Sequence, residues 1–430
     1  MQEQSQSNVK DFSLGLQHVL AMYAGAVIVP LIVGNAIGLT PAQLTYLIAI
    51  DIMMCGVATI LQVWKNKFSG IGLPVVLGCT FTAVGPIINI ANTYSIQSVY
   101  GAILVSGLLV VLIASFFSKL IRFFPPIVTG TVVTVIGITL IPVAINDLAG
   151  GQGAEDFGSP INLFLGFSTL IIILIILKFA KGFFGSIAIL TGIIFGTIIG
   201  AFFDRVDFTP VTDASWLHLP QVFYFGTPEF HIVPILTMTL VAVVSLVEST
   251  GVYFALEDIT EKKIKGEDLK RGYRAEGIAI FLGGLVNAFP YTTFSQNVGL
   301  IQISGVRRNK IIYIAGSMLI ILGLVPKIGA ATLAIPGPVL GGAMLAMFGM
   351  VIGAGIKMLS RVDLNKQDNM VVVAISVAMG LGVTVVPDLF AALPESLSVI
   401  TSSGIVMGSL TAIVLNAIFN FKSIINPRNI

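Results

Sequence analysis

Pro290-Tyr-Thr-Thr-Phe-Ser-Gln296-Asn297-Val-Gly299-Leu-Ile-Gln-Ile-Ser304-Gly305 sets a run of hydroxyls and amides inside an otherwise apolar chain. A proline followed by polar residues interrupts a helix. Interrupted backbone survives at membrane depth only against protein or a wet cavity, because lipid offers its N–H and C=O groups no partner. The outline occurs earlier too: Gly72-Leu-Pro74-Val-Val-Leu-Gly-Cys-Thr80-Phe81 matches Ala288-Phe-Pro290 through Gln296-Asn297 at an offset of 216. A second pair repeats at an offset of 212: Pro126-Ile-Val-Thr-Gly130 with Gly137, against Pro338-Val-Leu-Gly-Gly342 with Gly349. Either polar segment alone fits an ordinary kinked span equally well. Corresponding segments in two halves point instead to a transporter built from inverted repeats, with its site at the interrupted helices.

Working outward, the 430 residues are 56% hydrophobic and 10% charged, with a mean hydropathy of +0.98. A soluble domain carries about 25% charged residues. The apolar runs are about 20 residues long, enough to cross a bilayer as helix. This excludes a soluble enzyme, a disordered chain and a nucleic-acid binder. The net charge of +2 implies no polyanionic partner. Uniformly apolar runs also exclude a transmembrane β-barrel, whose strands alternate. Cys55 and Cys79, the only cysteines, lie inside apolar runs, and the three histidines lack ligand spacing, so neither a disulfide framework nor a metal site is expected. Leu14–Gly34 is too long for a signal-peptide core and reads as the first span.

About fourteen apolar segments follow one another, beginning near Leu14, Leu44, Ile71, Val99, Pro126, Leu163, Phe183, Ile232, Tyr273, Thr293, Ile311, Val339, Met370 and Leu397. Lys and Arg accumulate on the cytoplasmic side of membrane proteins. With the N-terminus inside, alternate connections collect every Lys and Arg except Arg205 and Lys327, including Arg122, Lys422 and Arg428. Adding or dropping one span would destroy that bias. The expected fold is therefore an all-α polytopic membrane protein: two inverted seven-span repeats, both termini cytoplasmic, with short extended segments and half-helices in the third and tenth spans.

Only Asp51, Glu248 and Glu276 place a carboxyl within a span. An acid at the bilayer centre costs at least about 2.5 kcal/mol, so it is kept for a reason. Glu248, near the middle of the eighth span, can be neutral or charged near neutral pH, which suits a proton-coupled site. Glu276 opens the ninth span beside Arg274; coupling and a simple interfacial ion pair are equal readings. Asp51 reads as a brace between helices. His18, alone in the first span, fits packing, or the positioning of Glu248 or a ligand. Gln296 offers two donors and one acceptor from a single amide, matching the edge of a planar heterocycle. Asn297 lies beside it, and Phe81 or Tyr291 can stack on such a ring. Half-helix N-termini at Thr82 and Gln296 would add partial positive charge. Gly341, Gly342 and Gly349 suit close helix packing.

Gln296-Asn297-Val-Gly299-Leu-Ile-Gln-Ile-Ser304-Gly305 resembles the signature of the nucleobase–ascorbate transporters, also called nucleobase:cation symporters, with Ser304 where the family has Thr. Gln17-His18, Glu248-Ser-Thr-Gly251 and the stretches Leu14–Pro30, Gly72–Pro86, Phe123–Gly137 and Leu246–Gln302 look similar to bacterial xanthine permeases. The resemblance implies a homodimer that transports purines with protons as the coupling ion and with no cofactor. It implies a core of residues 1–120 and 231–330 and a gate of residues 121–230 and 331–430. By resemblance, Glu248 and Gln296 grip the base, Phe81 and Thr80 lie at its floor, and Glu248, Glu276 and His18 handle the proton. Amide at 296 is similar to xanthine-type members. Glu276 stands where Asp is usual, and Val252 where some members carry a second polar group.

The expectation is a proton-coupled importer of xanthine or a close purine in the cytoplasmic membrane. A uracil or urate permease is the nearest alternative. An anion transporter of the same architecture is a rival, disfavoured because Glu248 would repel the anion and no buried Lys or Arg compensates. An intramembrane enzyme lacks a paired nucleophile and base.

Overall fold

The structure, a computed structural model, describes residues 2–120, 124–305, 307–394, 397 and 401–421. Arg122, Phe123, Lys422, Arg428 and residues 398–400 of the last expected span lie outside the described residues, as does the side chain of Lys119. The elements run α1 (Gln2–Ala36), α2 (Pro41–Val63), β1 (Leu77–Cys79), α3 (Val84–Thr93), α4 (Ile96–Leu120), α5 (Pro126–Leu148), α6 (Pro160–Phe179), α7 (Phe183–Ser186), α8 (Ala188–Ala201) and α9 (Thr209–Asp213). They continue α10 (Ile232–Thr260), α11 (Gly266–Leu285), β2 (Tyr291–Thr293), α12 (Ser295–Ser304), α13 (Asn309–Gly323), α14 (Pro326–Leu333), α15 (Gly337–Leu359), α16 (Gln367–Val385) and α17 (Gly404–Phe419).

Local chemistry sets the ends of these helices. Thr40 caps α2 by accepting from the Gln43 N–H at 3.3 Å, Gln43 returns a bond to the Thr40 N–H, and Pro41 opens the first turn. Ser159 caps α6 by accepting from the Asn162 N–H, and Pro160 opens its first turn. Gly305, at φ +65°, ends α12 in the left-handed conformation that favours glycine.

Eight helices among the described residues are long and apolar enough to cross a membrane, or nine if α13 and α14, bent by 77° at Leu324–Val325, form one span. The protein is thus a multi-pass, mostly helical membrane protein, but not every expected segment is a full-length helix. α8 and α17 have 14 and 16 residues, α3 and α12 have 10 each, and α11 begins with a charged turn. A sequence window sees only apolar length; proline and glycine then decide how much of that length is one straight rod.

The two interrupted segments meet. β1 pairs antiparallel with β2, Leu77 opposite Thr293, Gly78 opposite Thr292 and Cys79 opposite Tyr291. Leu77 and Thr293 are also the residues that the offset of 216 equates, as a two-fold axis through their pair requires. So short a sheet leaves free edges, and helix hydroxyls cover them. Thr59 of α2 accepts from the Leu77 N–H at 3.0 Å, and Ser249 of α10 accepts from the Thr293 N–H at 3.3 Å. The Thr80 N–H donates to Pro290 O and the Phe294 N–H to Val76 O, both at 2.9 Å.

α5 and α15, the other repeated pair, pack face to face. A Cβ on Gly137 would meet Phe348 O and Ile352 N at 2.9 Å; one on Gly341 would meet Leu148 N at 2.1 Å; one on Gly342 would meet Gly166 O at 2.2 Å. Gly349, expected to pack likewise, has nothing within 4 Å of its would-be Cβ. It lies on the exposed side of α15.

Candidate functional site

α10 carries Glu248 and Ser249 on neighbouring faces, about 100° apart round the helix. Glu248 is half-buried and Ser249 fully buried. Across from them β2 projects alternate side chains to opposite sides. Thr292 therefore faces α10, its hydroxyl 3.2 Å from the Ser249 hydroxyl and near enough to act on the Glu248 carboxyl. Tyr291 points the other way, fully buried, its hydroxyl and ring edge about 3 Å from where a Gly283 Cβ would stand. Tyr291, like Phe81 and Thr80, is not among the residues that line the cleft between α10, α12 and α15.

Glu276 of α11 is fully buried in the same network. Ser249 donates to its Oε2 at 3.1 Å, Gln62 of α2 donates to Oε1 at 3.3 Å, and the Tyr253 hydroxyl bonds Oε1 as well. Gln62 also bonds the Tyr253 hydroxyl and Gly272 O, and its own Oε1 accepts from the Ile71 N–H. The interfacial ion pair weighed for Glu276 does not form: the Arg274 guanidinium lies 4.4 Å from the centre of the Phe68 ring and donates to Ser115 at 3.2 Å. Asp51 braces α2 against the second interrupted segment, its Oδ1 accepting from the Phe289 N–H at 2.7 Å.

His18 is buried beside Asn297, not Glu248. The Asn297 amide nitrogen is 3.1 Å from His18 Nδ1 and donates to His18 O at 3.0 Å, which ties α1 to α12. Thr80 bonds Ser245 of α10 at 3.1 Å and accepts from the Thr82 N–H. Phe81 lies parallel to Phe294 at 6.5 Å and edge-on to Phe348 of α15 at 5.4 Å. Cys55 and Cys79 are free thiols in contact at 4.0 Å.

A cleft of about 630 Å³ opens between α10, α12 and α15, within the ~300–1,000 Å³ span of small-molecule sites. Gln296 lines it, with Gly251, Val252, Ser295 and Gly299; Glu248 stands one turn deeper than Gly251–Val252. Asp258 and Arg361, 3.4 Å apart, and Lys357 lie at one end. Ser304 and Gly305 close α12 away from the cleft lining.

Ser249, Tyr253 and Gln62 were not singled out in the sequence. Ser249 and Tyr253 carried a usable signal, polar groups four apart on one helix face, next to the acid. Gln62 carried only its polarity within an apolar span.

Interrupted segments paired at the centre of a many-helix membrane protein, with buried carboxyls and a cleft beside them, are the construction of a secondary transporter. The family model Xan_ur_permease, described as a permease family, matches residues 9–389, and the chain belongs to that family, the nucleobase–ascorbate transporters. It is a transporter and not an enzyme. It is 61% identical over 414 residues to the xanthine permease of Bacillus subtilis, covering 96% of this chain and 94% of the relative. It is 60% identical over 409 residues to the uric acid permease PucK of the same organism, covering 95% of each. It is 42% identical over 411 residues to the uric acid transporter UacT of Escherichia coli, covering 95% of this chain and 85% of that one. Among solved structures the fold resembles the transmembrane domain of a cyanobacterial bicarbonate transporter, BicA, with a TM-score of 0.63 at 17% identity over 87% of this chain and 97% of that one. Murine Slc26a9 in its inward-facing state gives a TM-score of 0.65 at 9% identity, over 96% of this chain and 68% of that one.

Proposed function

We propose that the protein is a proton-coupled symporter that carries xanthine or a closely related purine into the cell across the cytoplasmic membrane. Gln296 pairs with one edge of the base and Glu248 with the other. Phe81 and Thr80 form the floor, and His18 holds Asn297 so that the head of α12 keeps its place. Glu248 and Glu276 take and release the coupling proton. The chain crosses the membrane about fourteen times, in two inverted sets of seven, with α3 and α12 as half-helices and both termini in the cytoplasm. Residues 1–120 and 231–330 form a core that rocks against a gate of residues 121–230 and 331–430, and two copies assemble.

The observation that carries this reading is the convergence of an amide at a cleft, a carboxyl one turn deeper and a second carboxyl bonded behind it. The relatives' names support a purine. The structural neighbours include a bicarbonate transporter, which keeps the anion reading in view. The experiment is uptake of radiolabelled xanthine into lipid vesicles under an imposed pH gradient, with unlabelled urate, uracil, guanine and hypoxanthine as competitors. Xanthine accumulation that collapses with the gradient is the expected result. Bicarbonate or sulfate flux without purine uptake would refute it.

A further inference from the structure

Glu248 and Glu276 sit on different helices, close enough for their charges to act on each other directly, and side-chain hydroxyls lie between them. Thr292 faces Glu248, Thr292 and Ser249 are 3.2 Å apart, and Ser249 reaches Glu276 Oε2 at 3.1 Å. All the linking groups are buried. We infer that Ser249 and Thr292 are positioning residues that join the two carboxyls into one proton-sharing unit. This rests on the proton-coupled reading above.

The argument follows from what a hydroxyl can do: donate one bond while accepting others. When Ser249 donates to a charged Glu276, its oxygen accepts from Thr292. Thr292 then has no hydrogen left for Glu248, so Glu248 must itself be the donor and carries the proton. When Glu248 is charged, Thr292 donates to it, Ser249 donates to Thr292, and Glu276 must carry the proton to bond Ser249. The two arrangements exchange by passing one proton at each hydroxyl: an O–H bond breaks on one carboxyl, one forms on the other, and each hydroxyl keeps one hydrogen. Net charge is unchanged. The unit holds a single proton that sits either beside the cleft or behind it.

The surroundings make the two ends unequal. Glu276 has fixed donors in Tyr253 and Gln62 besides Ser249; Tyr273 on its own helix bonds Thr250. The other helix packed on α11, α4, presents Tyr100 as its only ionisable group among the described side chains, and that ring is stacked on Phe225 and Phe289. The Glu248 carboxyl is acted on by the Thr292 hydroxyl and has no such set of fixed donors within 3.5 Å among the described residues, and the cleft is one turn away. A base that bonds Glu248 therefore changes which end holds the proton, without a second polar group one turn on, where Val252 stands.

Ser249 also accepts the Thr293 N–H, so a structural role is the competing explanation and the test must separate the two. Infrared difference spectra of the substrate-free protein in lipid, taken across pH steps, follow each carboxyl C=O band. Glu248→Gln is expected to move the pH at which the Glu276 band titrates in the otherwise native protein. It is expected to move that pH clearly less in a Ser249→Ala or Thr292→Val background, where only the direct charge effect is left, and Ser249→Thr restores the full shift. In vesicles, Ser249→Ala lowers gradient-driven accumulation roughly tenfold, a modest share of what proton transfer contributes, while changing KM by less than about threefold. Coupling between the bands that is undiminished by both hydroxyl deletions overturns the inference. Wild-type protein whose purine uptake ignores the pH gradient overturns the functional reading instead, because the spectroscopic coupling is measured without substrate.

Discussion

β1 and the turn into α3 present Leu77, Gly78, Cys79, Thr80 and Phe81; β2 and the head of α12 present Tyr291, Thr292, Thr293, Phe294, Ser295 and Gln296. The backbones are alike: three residues of strand, then a 10-residue helix, α3 after a short 3-10 turn and α12 directly. The side chains are not. The first segment packs, its glycine lying under the Phe294 ring, whose atoms would stand 2.4–2.8 Å from a Gly78 Cβ. The second carries the hydroxyls and amides that meet Glu248 and the cleft. Repetition supplied two equivalent frames, and the chemistry was concentrated in one of them. A site needs a dry wall as much as a polar one, because hydrogen bonds discriminate between ligands only where water does not compete.

On that division, damage to the second segment and to the helix facing it costs transport, while damage to the packed strand β1 of the first costs stability. The largest effect falls on Glu248→Gln, which should cut gradient-driven xanthine accumulation by at least about 100-fold while the protein still reaches the membrane. Unchanged concentrative uptake would remove Glu248 from the coupling. Next comes Gln296→Glu, which replaces an amide that both donates and accepts by a group that, when charged, only accepts. One lost bond corresponds to about tenfold weaker competition by xanthine, and a flat competition profile would show that the amide does not read the base.

On the other side of the comparison, Gly78→Ala should lower stability by about 1–3 kcal/mol through overpacking against Phe294, read as a lower unfolding midpoint in detergent. Thr59→Val, which strips the Leu77 N–H of its acceptor, belongs to the same range of about 1–3 kcal/mol. A change of KM in step with stability in these two variants would mean that β1 itself, and not only Thr80 and Phe81 beyond it, touches substrate. The smallest effect lies outside both segments. Arg205 bonds Asp156 at 2.7 Å and holds its carboxyl below the ordinary 3.8. That contribution is present above the ordinary value and is lost as pH falls through the lowered one. Asp156→Asn should therefore reduce the midpoint slightly near neutral pH and not at all in strong acid, with salt shrinking the difference.

The segments, their two offsets and the deep acids were legible because each is a local departure from an apolar background. The partners of those acids were not. Glu276 stands three residues from a tyrosine and two from an arginine in the chain, yet it is held by Gln62 from α2 and Ser249 and Tyr253 from α10. Tyr291 and Thr292 stand side by side in one polar run, and only the pairing of β2 with β1 decided that Thr292 faces α10.

Taken alone, the order of residues determined that this chain lives in a bilayer, where it breaks, and which carboxyls are too deep to be accidental, because lipid penalises every charge and every unbonded peptide group whatever the neighbours are. Tertiary structure decided which helix completes each hydrogen bond and which wall of the cleft is polar. Those outcomes depend on side-chain direction and on contacts between residues hundreds of positions apart, such as the meeting of His18 with Asn297, and no local pattern encodes them.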